Sequence, residues 1–123
     1  MNSREIWVRG EVAAREFLRA KGYVILEENY AGRAGEIDII ARDGETIVFV
    51  EVKARENTAF GQPIEAITSQ KVRRIAITAQ QYLVAKRLLG KDARFDVVEV
   101  LAGEITHTEN AFSLADAAKY CKY

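Results

Sequence analysis

Charged side chains stand where a strand should be apolar throughout. Val48-Phe-Val-Glu51-Val-Lys53 carries a carboxylate and an ammonium on alternate positions, and Asp38 interrupts the run from Ile37 to Ala41. Two carboxylates that converge can grip one cation. With oxygen donors only and no Cys or His nearby, that cation should be hard, Mg²⁺ or its substitute Mn²⁺, rather than zinc. Mg²⁺ keeps several waters and takes phosphate oxygens as further ligands, so the pattern suits a phosphodiester substrate. Lys53 could then hold the attacking water or neutralise charge developing on phosphorus. The plainer alternative is a salt bridge between Glu51 and Lys53 on an edge strand, with Asp38 as a further partner. The apolar setting on both faces argues against it, because unpaired charge there is costly.

The runs Ile37 to Ala41 and Ile47 to Val52 flank Asp43-Gly44, a strong hairpin signal. If Asp43 and Gly44 are the two loop residues of a type I′ turn, Arg42 pairs with Glu45, Asp38 faces Phe49 and Glu36 faces Glu51. Glu36, Asp38, Ile40, Ile47, Phe49, Glu51 and Lys53 then project from one side. Asp38 and Glu51 become diagonal neighbours roughly 7 to 8 Å apart at the backbone. Glu36 opposite Glu51 would be repulsive, and a divalent metal would relieve it.

Around the hairpin, Ser3 to Lys21 reads as a helix whose apolar stripe is Ile6, Gly10, Ala13, Ala14, Phe17 and Leu18, with Gly22 as its stop. Glu11 lies only about 20° from Leu18 around that helix and is its carboxylate best placed to look inward. Tyr23 to Leu26 is expected as a short strand. Ser69 should cap a long helix from Gln70 to Leu89, with Val72, Ile75, Ala76, Ala79, Tyr82 and Leu83 buried and Gly90 at its end. Arg94 to Leu101 is another strand, with an optional last one through Thr108. Asn57 to Gln62 reads as a loop, Pro63 as the opening of a helical turn, and the tail from Ser113 as a weak helix or frayed end. The expected class is α/β, a mixed sheet covered by helices.

The 123 residues, 49% hydrophobic, suffice for one domain with a core, taken as 1–123 with the core at about 4–112 and a tail at 113–123. No apolar run approaches the roughly 20 residues that span a bilayer, and the start is charged, so a soluble, cytoplasmic protein without a membrane partner is expected. The lone Cys121 cannot staple the fold and reads as an exposed tail thiol. Net charge is zero, yet from Ala66 to Arg94 seven basic residues stand against Asp92 alone. That stretch is either a phosphate-binding surface beside an acidic cluster or a solvated helix face. Lys71, Arg73 and Arg74, at the start of the long helix, are the best candidates for nucleic-acid contact. Arg55 and Arg33 accompany them, although the loop Gly32-Arg33-Ala34-Gly35 reads more readily as a flexible connection than as a phosphate cradle. His107 is isolated and receives no role, and Trp7 and Tyr82 read as core or interface residues.

Gly35-Glu-Ile-Asp-Ile-Ile-Ala-Arg-Asp-Gly44 followed by Val48-Phe-Val-Glu-Val-Lys-Ala-Arg55 resembles the PD-(D/E)XK nuclease motif, and in wording the YraN-like family of small bacterial proteins, itself similar to archaeal Holliday-junction resolvases. The resemblance runs through Gly10-Glu11, Phe17-Leu18, Asn29-Tyr30, Phe60-Gly61, Pro63, Lys71 with its arginines, and Arg94-Phe-Asp-Val97, about residues 4–112 in all. It implies a restriction-endonuclease-like αβββαβ core in which Asp38 and Glu51 bind metal, Lys53 assists the nucleophile and Glu11 completes the site. Ile37 stands where the motif's namesake proline would be. The function expected is Mg²⁺-dependent hydrolysis of DNA phosphodiesters, branched or damaged DNA included. A DNA-binding or recruitment module without turnover is the alternative. A third reading is a structural or dimeric partner that assembles through the apolar tail region. A homodimer would suit a two-stranded substrate.

Overall fold

The computed structural model describes residues 2–56 and 68–112. Helix α1 (Ser3–Ala20) leads into β1 (Val24–Ala31), β2 (Glu36–Asp43) and β3 (Thr46–Arg55), followed by α2 (Ser69–Ala85), β4 (Ala93–Leu101) and β5 (Glu104–Phe112). The five strands form one mixed α/β sheet in chain order, with β3 parallel to β4 and every other neighbour antiparallel. The parallel step follows from α2, which carries the chain across the sheet between β3 and β4. This is the expected αβββαβ order, and the optional last strand forms and extends to Phe112. Pro63, the loop Asn57 to Gln62, Phe60-Gly61, Cys121 and the tail from Ser113 lie outside the described residues.

Alternation sends the two faces of the sheet into two cores. On one, Ile40, Ile47, Phe49 and Phe95 meet the whole predicted stripe of α2, from Val72 to Leu83. On the other, Ile39, Ala41, Val48, Val50 and Val52 meet Ala14 and Leu18 of α1. Gly10 lets α1 sit close, because a Cβ there would collide with the Cβ of Ala54. Its neighbour Glu11 is thereby drawn under the helix and buried. Among the described residues no helix is long and apolar enough to cross a membrane.

Three boundaries differ from the sequence reading. The loop of the central hairpin is Gly44-Glu45, not Asp43-Gly44, so Asp43 pairs with Thr46 and Ile39 with Val50. Gly44 has φ of +59° and Glu45 does not share a positive φ, so glycine is needed only at the first loop position, as in type II′ turns. Every paired residue meets a partner two positions on from the one expected; an even shift preserves the face, and the ladder ends at Ile39↔Val50, just before Asp38 and Glu51. Second, α2 is capped by Thr68, whose side chain accepts the Lys71 N–H at 3.1 Å, and it ends at Ala85. Arg87 takes the left-handed position there, with φ of 58°, while Leu88 donates its N–H to Leu83 and packs on the core. Burial of Leu88 ends the helix before Gly90. Third, β1 runs on through Glu27, Glu28 and Asn29. It is an edge strand, where charged residues are tolerated, and a bulge between Ile25 and Glu27 resets its register.

Candidate active site

The β2–β3 ladder ends where the acids begin. Beyond Ile39↔Val50, the Val52 N–H donates to the Asp38 carboxylate at 2.8 Å. Strict alternation also breaks here. Ile37 and Ile40 both join the α2-side core while Ile39 faces α1, and Glu36, at the exposed start of β2, lines the same cleft as Asp38 and Glu51. Asp38 and Glu51 lie together at 9% and 6% exposure. Burial, followed by the charge of Glu51, pushes Asp38 up to about 8, against the hydrogen bond from Val52 and the charge of Lys71. Near neutral pH this burial favours the protonated form of Asp38.

Two ammonium groups address the same oxygen of Glu51. Lys71 Nζ is 3.0 Å from Oε1 and Lys53 Nζ is 3.8 Å from it. Burial and the adjacent Lys71 pull Lys53 below its ordinary value, against the attraction of Glu51. Burial also opposes the charge on Lys71, but Glu51 outweighs it and the pKa rises. The sequence reading placed Lys71 among phosphate contacts and missed this pairing. No signal within either segment foretells it, because Glu51 and Lys71 meet only when α2 folds back over β3.

The acids open into a cleft of about 480 Å³ lined by Gly35, Glu36, Asp38, Glu51, Lys53, Thr68, Lys71 and Arg74, among others. Ala34 lines it beside Gly35, and their loop, from Gly32, packs on α2 instead of hanging free. A Cβ on Gly32 would crowd Gln81 and Thr78, one on Gly35 would meet Arg74, and the Gly32 N–H closes the loop on the Gly35 carbonyl at 2.8 Å. Arg74 lines the cleft and is exposed, Arg33 is exposed on the loop, and Arg73 is half-buried. Arg55 instead borders an apolar groove of about 500 Å³ with Ile6, Gly10 and Val100, away from the acid pair. Of the other cations in the basic stretch, Arg94 is spent on Asp43, Asp96 and Glu109, and Lys91 on Glu45.

Glu11 is buried at 7% exposure but stands apart from the pair. The Asn29 side chain donates to its Oε1 at 2.6 Å, while Oε2 is buried with no partner among the described residues. Burial raises Glu11 against the Asn29 hydrogen bond, and Glu28 and Glu36 add to the rise. Asn29 adopts φ of 51°, a region that asparagine visits more readily than other non-glycine residues, and that geometry aims its amide at Glu11. Among the described residues, no three Asp, Glu, His or Cys side chains converge as a finished metal cage. The donors nonetheless suit a hard divalent ion, because Asp38 and Glu51 are two buried oxygen donors held together and Glu11 keeps an unused oxygen on α1.

His107, given no role from sequence, is buried in a second charged centre on the α1 side. It contacts Asp96 through Nε2 at 2.7 Å, and Asp96 also accepts from Arg94 and the Asn110 N–H. Lys21 lies 2.9 Å from its other ring nitrogen. These contacts tie β5 to β4. Tyr82 is core and Trp7 is surface-exposed.

The chain matches the uncharacterised protein family UPF0102 over residues 10–100. It is 48% identical over 111 residues to a UPF0102 protein of Persephonella marina, covering 88% of this chain and 96% of that one. It is 43% identical over 118 residues to one of Dictyoglomus turgidum, covering 91% and 100%, and 49% identical over 111 residues to one of Geotalea daltonii, covering 86% and 87%. With the match spanning most of the chain, and relatives of nearly the same length, the protein belongs to the UPF0102, or YraN-like, family.

Proposed function

We propose that this protein is a metal-dependent endonuclease that hydrolyses DNA phosphodiesters, branched or damaged DNA included. One observation supports the reading above others: Asp38 and Glu51 are buried side by side at the floor of a cleft that also holds Lys53 and Lys71. Two acids that repel each other in a low-dielectric pocket are a costly arrangement for structure alone, and a hard cation resolves it. The resemblance to PD-(D/E)XK nucleases and Holliday-junction resolvases points the same way.

In this reading Asp38 and Glu51 hold Mg²⁺, or Mn²⁺ in its place, and the unused Glu11 oxygen serves the same centre from α1. The ion supplies Lewis acidity toward phosphate and lowers the pKa of bound water. Lys53, fixed on β3 with 20% of its side chain exposed, is placed to orient a water or neutralise a phosphate oxygen. Arg74, which lines the cleft, carries backbone-phosphate contacts in this reading, together with Arg33 and Arg73. A homodimer would present two such clefts to two strands.

The test is incubation of purified protein with plasmid, single-stranded, flap and four-way-junction DNA, with and without Mg²⁺ or Mn²⁺. Metal-dependent cleavage of at least one substrate is expected; no cleavage of any by folded protein refutes the reading. DNA binding that survives both EDTA and Asp38→Ala, without cleavage, would favour a recruitment module.

A further inference from the structure

Both lysines in the cleft address one oxygen of Glu51, but they are held differently. Lys53 belongs to β3, is the more buried and sits 3.8 Å away; Lys71 sits 3.0 Å away with 40% of its side chain exposed to the cleft. The Lys71 backbone is anchored, since Thr68 caps its N–H in the first turn of α2. Its side chain spans from that turn to Glu51 along the cleft that Arg74 also lines.

A divalent ion shared by Asp38 and Glu51 would bring two positive charges to an oxygen that already has an ammonium in contact. Both lysines line the cleft, but Lys71 is the more exposed of the two and so the readier to leave Glu51. We propose that Lys71 is a resident counter-ion of the metal-free centre, which a divalent metal displaces from Glu51, and that the released ammonium then serves as a phosphate contact in the same cleft. The inference rests on the nuclease reading and adds regulation to it. Metal binding at the acids and phosphate binding at Lys71 become mutually reinforcing, because each relieves the Lys71–Glu51 contact that opposes the other. It also reconciles the ion pair in the structure with the phosphate role expected from sequence.

The experiment is calorimetric titration of the full-length protein with Mn²⁺, and separately Mg²⁺, for wild type, Lys71→Met and Lys71→Arg, paired with thermal unfolding in EDTA and in Mn²⁺. Lys71→Met should bind Mn²⁺ roughly fivefold tighter, because nothing must be displaced, while Lys71→Arg stays near wild type. In EDTA Lys71→Met should melt below wild type, and its gain on adding Mn²⁺ should be the larger. A merely structural lysine would lower both melting temperatures equally. Should Lys71→Met fail to fold, Lys71→Gln keeps a hydrogen bond to Glu51 without the charge and is expected to tighten Mn²⁺ binding as well. Unchanged or weaker binding in the neutral variants, with wild type binding normally, overturns the displacement and leaves the metal site standing. Absence of binding in every form overturns both.

Discussion

Asp38→Asn should make the metal-free protein more stable, although it removes a residue at the centre of the site. Asp38 is 9% exposed, and its pKa is raised from 3.8 to about 8 by burial and by Glu51. Between those values the folded chain holds one proton more than the unfolded chain. This group's contribution to stability is therefore full below the unfolded value, declines as pH rises, and is gone above about 8. At about 1.4 kcal/mol per unit, the three or so units between 3.8 and neutrality set a ceiling of about 4 kcal/mol. An amide keeps the acceptor for Val52 N–H, needs no proton, and can donate to Glu51. Allowing for imperfect fit, we expect a gain of about 2 kcal/mol at pH 7.5 in EDTA, a rise in Tm of roughly 10 °C or somewhat less. Thermal unfolding of both forms from pH 5 to 9 is the assay. The advantage should grow with pH up to about 8, and Mn²⁺ should stabilise only the wild type. A variant that is equally or less stable than wild type at pH 7.5 in EDTA would refute the reasoning.

Lys53→Ala should cut cleavage by about 10²-fold while Mn²⁺ binding measured by titration persists, because Lys53 acts on water and phosphate and is no ligand. Asp96→Ala should cost about 3 to 5 kcal/mol in denaturant unfolding by stranding Arg94 and His107 in a buried centre. Burial opposes ionisation of Asp96, but His107, Asn110 and Arg94 outweigh it and lower its pKa, so its contribution is present above the unfolded value and lost as pH falls through the folded one. Gly10→Ala should destabilise by about 1 to 3 kcal/mol, since the new methyl meets Ala54 and lifts α1 from β3; a Tm unchanged from wild type would contradict that packing.

Much of this arrangement was legible in local periodicity. The α2 stripe from Val72 to Leu83 and the alternation of Ile47 to Val52 are short-range patterns, and both form the cores they imply. The hairpin was legible as a hairpin but not in register, because Asp-Gly marks a turn without saying which residue takes the positive φ. Gly44 takes it as first loop residue, and the pairing slides by two. Parity survived the slide, so the Asp38–Glu51 juxtaposition did too. Contacts that depend on how separate elements meet were not legible. Lys71 reaches Glu51 across a fold-back, Asn29 reaches Glu11 from an edge strand, and His107 finds Asp96 across the β4–β5 pair. Counting charges along the chain also overstated the basic surface, since Arg94 and Lys91 are neutralised by acids distant in sequence.

The most direct test of the central claim is cleavage of a four-way junction and a flap substrate by wild type and by Glu51→Gln, each in Mg²⁺, Mn²⁺ and EDTA. We expect cleavage by wild type only when metal is present and none by Glu51→Gln under any condition, with both proteins folded. Wild type that cuts nothing, or cutting by Glu51→Gln as fast as by wild type, would contradict the account.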